Sequence, residues 1–119
     1  MVYSTKSHVY TFENSGATEA HTVADNGDLG ALKQVVDRDP SVVDQADVNG
    51  WKPVHEAARG GQYQVLQYLI EKGVDVNERT HNGKGASPLW WAERNFPENH
   101  PAVVLLKKHG ARSLPPKDE

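Results

Sequence analysis

Three groups of residues in this chain have the types and spacing to do chemistry, and each lacks a part that the chemistry requires. His55-Glu56-Ala57-Ala58-Arg59 begins like H-E-x-x-H, in which two imidazoles one helical turn apart hold a zinc ion, but Arg59 stands where the second imidazole must be. The six histidines, His8, His21, His55, His81, His100 and His109, show no ligand spacing and no cysteine accompanies them, so neither a metal nor a cofactor is expected. Asp25 with Asp28, and Asp44 with Asp47, are close enough in sequence to share acid–base work. Such work needs a cleft that shifts their pKa values, and aspartates in turn-rich sequence more often hold the backbone of the turn. Gly60-Gly61 lacks the Lys-Ser or Lys-Thr of a phosphate loop, and Asn82-Gly83-Lys84-Gly85 reads as a turn. No catalytic activity is expected.

Composition narrows the class further. A chain of 119 residues has room for one domain. Its net charge of −3, with no isolated block of Lys and Arg, lacks the electrostatic footprint of nucleic-acid binding. The absence of cysteine fits a reducing compartment, and Met1 to Phe12 holds no apolar run of signal-peptide or membrane-span length. A cytoplasmic location, or a nuclear one, is the expectation, with no membrane partner.

The elements that would position these residues are short helices. Pro53 suits the first position of a helix, where its missing N–H costs nothing, and Gly60-Gly61 stops that helix after about two turns. Val65, Leu66, Leu69 and Ile70 fall on one stripe of a second helix from about Gln62 to Lys72, ended by Gly73. Two such helices cannot bury their apolar stripes alone, so neighbouring units must stack. The hydroxyls of Thr18 and Ser87 precede helical segments and can cap them, whereas Lys52 cannot.

The same pattern recurs along the chain. Asp47-Val48-Asn49-Gly50-Trp51-Lys52-Pro53-Val54-His55-Glu56-Ala57-Ala58-Arg59-Gly60-Gly61, with Val65-Leu66, Leu69-Ile70, Gly73 and Asp75-Val76-Asn77 after it, closely resembles the ankyrin repeat. A degenerate copy lies 34 residues upstream, where Gly16, Thr18, His21, Ala24 and Gly27 stand for Gly50, Lys52, His55, Ala58 and Gly61. Downstream, Ser87-Pro88-Leu89-Trp90-Trp91-Ala92, Val103, Leu106, Gly110 and Ala111 mark an altered third unit. The resemblance implies an all-α solenoid of stacked helix-turn-helix units with β-turn fingers. The expected organisation is a leader over 1–12, extended or disordered, repeats over about 13–46, 47–80 and 81–111, and a flexible tail over 112–119. The leader alternates loosely through Val2, Ser4, Val9, Tyr10 and Phe12, as an extended segment covering the open face of the first repeat would.

What the resemblance implies for function is a protein-binding surface. In this family the finger residue at Trp51 faces a concave groove, either exposed as an anchor or packed on the next finger. Arg59, Trp91 and Arg94 are expected to point into the same groove, together with Glu56 and Lys84, and with Asp25 and Asn26 at its first-repeat end. Trp and Arg rank first because they dominate interface energetics. His21 and His55 occupy the family's hydrogen-bonding turn position, and Trp90 replaces them in the third unit, where it is expected to fill space. The third finger is about two residues longer than the second, and Phe96 to Pro101 lengthens a turn, which is where a scaffold places specificity or where a terminal repeat tolerates insertion.

Three readings follow. The first is a monomeric, non-catalytic module that binds a protein of unknown identity. The second is an accessory or targeting domain of a larger enzyme. The third makes the chain a substrate, since Gly73-Val74-Asp75-Val76-Asn77 resembles the repeat ending that an asparaginyl hydroxylase modifies, with Asn77 as acceptor.

Overall fold

A computed structural model describes residues 18–117, so the expected leader and the first residues of the first unit lie outside the described part. Six helices make three antiparallel pairs: α1 (Glu19–Asn26) with α2 (Leu29–Arg38), α3 (Pro53–Arg59) with α4 (Tyr63–Glu71), and α5 (Pro88–Asn95) with α6 (Pro101–Lys108). Short 3-10 turns occupy Pro40–Asp44 and His81–Gly83, and no strand occurs among the described residues. None of the helices is long and apolar enough to cross a membrane. The fold is the all-helical repeat stack that the sequence pattern predicts. Each inner helix, α1, α3 and α5, packs on the next, and the outer helices α2, α4 and α6 do likewise.

The residue types explain the two layers. Inner helices bury small side chains, Ala20 and Ala24, Ala57 and Ala58, and Ala92, so their backbones approach closely. Outer helices bury larger ones, Leu32 and Val36, Val65, Leu66 and Leu69, Val103 and Leu106. The result is one apolar core running through all three units, since each pair completes the next. Helix bounds match the punctuation in the sequence: Pro53 opens α3, Gly60 caps it and Gly61 follows at φ +68°. Lys107, where the second unit has half-buried Ile70, is exposed on the last outer helix.

Two buried histidines tie the units together. The Nδ1 of His55 accepts the backbone N–H of Lys52 at 2.9 Å, which fixes the proton on Nε2, and that nitrogen donates to the Glu78 carbonyl at 2.8 Å. His21 does the same one unit earlier, from Thr18 N–H at 2.9 Å to the Trp51 carbonyl at 2.8 Å. Each ring therefore caps its own helix, and His21 holds the second finger while His55 holds the segment leading into the third. Thr18 adds a hydroxyl cap to Ala20 N–H, and Ser87 one to Trp90 N–H. Lys52 makes no side-chain cap. Its ammonium instead bridges Asp44 and Glu78, 3.3 Å from each, and so links the ends of the first two units. Burial opposes its charge, but the two carboxylates outweigh that and hold its pKa above the usual lysine value.

The aspartates mostly hold turns. Asp47 Oδ1 accepts from both Asn49 and Trp51 N–H at 2.9 Å, closing the second finger, and Asp28 caps α2 through Ala31 N–H. The longer third finger turns back over the second through His81 and Asn82, both at positive φ, and Gly83. His81 N–H reaches the Asn49 carbonyl at 2.7 Å. Gly50 lies beneath this crossing at φ +77°, where a Cβ would stand 2.6 Å from His81 N and 2.7 Å from Asn82 N. Gly50→Ala combines a disfavoured backbone with a backbone clash, so a loss of about 2–3 kcal/mol is expected in urea unfolding. A loss below about 0.5 kcal/mol would mean that the finger crossing does not fix the backbone.

Residues 112–117, expected as part of a flexible tail, form no helix but are held to the third unit. Ser87 N–H donates to the Leu114 carbonyl at 3.0 Å, and Leu114 N–H returns to Ser87 Oγ at 2.9 Å. Arg79 reaches the Pro115 carbonyl at 2.8 Å, and Lys117 N–H the Lys84 carbonyl at 2.9 Å.

Candidate functional site

Stacking brings four of the expected residues, with Glu56 beside them, into one succession of contacts on the inner-helix layer, and Asn95, next to Arg94, reaches the Arg59 carbonyl at 3.4 Å. Trp51 is presented by the second finger, Glu56 and Arg59 by α3, and Trp90, Trp91 and Arg94 by α5. The Arg59 guanidinium lies over the Trp51 ring at 4.9 Å. Trp51 packs on Trp91 at 4.7 Å with the rings tilted 44° apart, and Trp91 meets Trp90 edge to face at 4.9 Å. Arg94 covers Trp90 at 4.8 Å. The sequence is cation, three indoles, cation. All three tryptophans are half-buried, and the ring that Trp51 meets stands on α5 and not on the adjacent finger. Trp51 packs on a neighbour from the third unit and keeps part of its surface in solvent.

Register explains why these groups meet. Asp25 and Arg59 are 34 residues apart and sit on adjacent inner helices, where the guanidinium approaches Asp25 Oδ1 at 3.6 Å. Glu56, one turn before Arg59 on α3, takes the same guanidinium at 2.7 Å. Asn95 Nδ2 donates to the Trp91 carbonyl at 3.2 Å, tying down the end of α5. Trp51 also meets the buried His55 ring edge to face at 5.8 Å, so the ladder rests on the histidine that joins the units. The indole N–H of Trp91 is buried with no hydrogen-bond partner among the described residues. An unmet donor costs about 1–3 kcal/mol, which the ring contacts on both sides of Trp91 have to offset.

The electrostatics are uneven along the ladder. Burial pushes the Glu56 carboxyl up to about 7; Arg59 pulls it back in part, while Asp25 and Asp47 raise it further. Burial pushes the His55 imidazole down to about 4, against the pull of the Glu78 carbonyl, and Lys52 lowers it further. His21 is lowered for the same reason, chiefly by burial. Neither histidine has a free nitrogen to ligate or to accept a substrate proton, since both ring nitrogens are bonded. Among the described residues no group of three His, Cys, Asp or Glu could hold a metal ion.

The remaining expected residues fall elsewhere. Lys84 is exposed at the end of the 3-10 turn of the third finger. Asn77 is a half-buried link between the second and third units. Its Nδ2 donates to the Gly110 carbonyl at 3.3 Å, and its Oδ1 accepts Arg112 N–H at 2.8 Å. Asn26 is exposed at the end of α1. Reading the residues one at a time missed two partners. Trp90, expected only to fill space, supports Arg94, a pairing visible in their i, i+4 spacing on one helix. The Lys52 bridge had no local signal, because Asp44 closes the first unit and Glu78 stands 26 residues on, at the end of the second.

A family model described as ankyrin repeats, in three copies, matches residues 20–114. The human NAD-capped RNA hydrolase NUDT12 is 32% identical over 76 residues, covering 61% of this chain and 16% of that protein. Human ankyrin repeat domain-containing protein 39 is 41% identical over 58 residues, or 47% of this chain and 30% of that protein. The chain thus spans less than a third of the length of either relative. The crystal structure of the human ASB11 ankyrin repeat domain superposes with a TM-score of 0.70 at 30% identity, covering 80% of this chain and 41% of that one.

Proposed function

Given that the chain belongs to the ankyrin-repeat family, whose fold is generally a non-catalytic interaction module, we propose that it binds a partner protein on its concave face through Trp51, Arg59, Trp91 and Arg94, with Glu56 and Lys84 at the margins. The observation that carries this reading is the Arg–Trp–Trp–Trp–Arg ladder across the second and third units. Indole and guanidinium groups held rigidly before binding lose little entropy on contact, which is why they form interface hot spots. The chain acts as a monomer in this reading, in the cytoplasm or the nucleus, and nucleic acid is not its partner.

The test is affinity capture with the intact chain and with a Trp51→Ala, Trp91→Ala double variant. A protein retained by the first and lost from the second supports the reading. Because both rings are half-buried, the variant should melt lower yet still unfold cooperatively, and capture is done below its transition. A partner retained equally by both would overturn the proposed face.

A second reading is favoured by the length comparison with NUDT12, in which the matching segment is a small part of an enzyme. In that reading the module is an accessory or targeting domain of a larger enzyme. An antibody against residues 47–80 would then detect a native polypeptide well above the 13.1 kDa of this chain, whereas a band at that mass would count against it.

A further inference from the structure

We propose that the ladder takes its partner in one direction only, with a carboxylate of the partner on Arg94 and a basic side chain of the partner toward Asp25 and Glu56. This rests on the concave-face reading and adds the partner's chemistry to it. The two arginines that end the ladder differ. Arg59 is already answered within the chain, by Glu56 at 2.7 Å and Asp25 at 3.6 Å. That end therefore carries two carboxyl groups for one guanidinium: Asp25, the more exposed and the farther from Arg59, is left open to a cation of the partner, and Glu56, raised to about 7 by burial, would be drawn toward its charged form by the same cation. Arg94 is exposed, stacked on Trp90, and makes no ion pair with any described residue.

Stacking on an indole fixes the plane of a guanidinium and leaves its N–H edge for a planar acceptor. A carboxylate fits that edge with two parallel hydrogen bonds. The other end needs the opposite charge to use its surplus carboxylate. Between them the half-buried indoles of Trp51, Trp91 and Trp90 offer apolar surface, which suits aliphatic or aromatic side chains. A phosphate backbone would meet Asp25 and Glu56 head on, so the occupant is a protein segment, basic at one end and acidic at the other.

The probe is a display library of random peptides selected against the intact chain. Peptides enriched on the unaltered chain should pair a Lys or Arg with an Asp or Glu across an apolar stretch. Resynthesised, they should bind Arg94→Glu about tenfold or more weakly, and selection on Arg94→Glu should replace the acidic residue by a basic one. Arg94 is exposed, so its variant should keep the melting curve of the parent. Peptides that bind the parent and Arg94→Glu alike, yet are lost on the double tryptophan variant, would overturn the polarity and leave the binding face standing. Peptides held equally by the double tryptophan variant would overturn the face, and the polarity with it.

Discussion

Replacing His55 by alanine should lower the stability of the chain by roughly 4 kcal/mol, the upper range for a single substitution. The ring is fully buried, and its loss strips a partner from the Lys52 N–H and from the Glu78 carbonyl at once. Each orphaned group costs about 1–3 kcal/mol, and the vacated volume adds a cavity. The position magnifies the effect, because α3 packs on both α1 and α5, so that among the three described units the central one has a described neighbour on each side. In a stack stabilised by nearest-neighbour interfaces, loosening the middle unit weakens both. At about 4–8 °C per kcal/mol the melting temperature should fall by roughly 15 °C or more. His21→Ala removes an equivalent pair of bonds from a terminal unit and should cost less. Its signature would be a loosened second finger, since its Nε2 holds the Trp51 carbonyl. Equal losses from the two variants, or a loss below about 1 kcal/mol for His55, would contradict the role of the histidine as the joint between units.

The units were legible in the sequence because their signals are local. Pro53, Gly61, Gly73 and the Val65-Leu66-Leu69-Ile70 stripe each act within one turn of themselves, and the helices begin and end where they indicate. The contacts of the tail were not legible, for the opposite reason. Nothing in Leu114-Pro115-Pro116 announces order, and what holds it is Ser87 and Arg79, 27 and 36 residues earlier in the chain. The extra length of the third finger can be counted in the sequence, but its crossing over Gly50 depends on a contact between units that no single-unit pattern contains.

The candidate site shows the same division. Residue types singled out Trp51, Arg59, Trp91 and Arg94, since tryptophan and arginine dominate interface energetics. Their order in a ladder could not be read, because it is set by how far α5 is displaced from α3 and by which indole meets which. Asp25 was given little weight in sequence, yet it is one of the two carboxylates that fix Arg59, and thereby the reason the two arginines differ. Chemistry per residue was visible; the pairing of charges was a property of the stack.

That pairing gives a pH dependence that single variants should expose. His55 has a folded-state pKa of about 4 against an ordinary 6.5. Between those values the unfolded chain takes up a proton that the folded chain refuses, so stability falls as pH falls from 6.5 to 4, by roughly 3 kcal/mol in all. Glu56 is shifted the other way, to about 7 from an ordinary 4.5. Between those values the folded chain holds a proton that the unfolded chain releases, so stability rises as pH falls from 7 to 4.5, by a similar roughly 3 kcal/mol. The windows nearly coincide and the slopes oppose, so these two groups largely cancel in the parent chain. Glu56→Gln removes the compensating slope and keeps the shape of the side chain. The variant should lose roughly 3 kcal/mol more than the parent between pH 7 and pH 4.5; lowered His21 steepens both curves alike and leaves the difference unchanged. Urea unfolding at four pH values across that window measures the difference. Parallel stability curves for parent and Glu56→Gln would show that Arg59 holds the Glu56 carboxylate charged despite its burial. In that case the first-repeat end of the ladder carries its full negative charge at neutral pH.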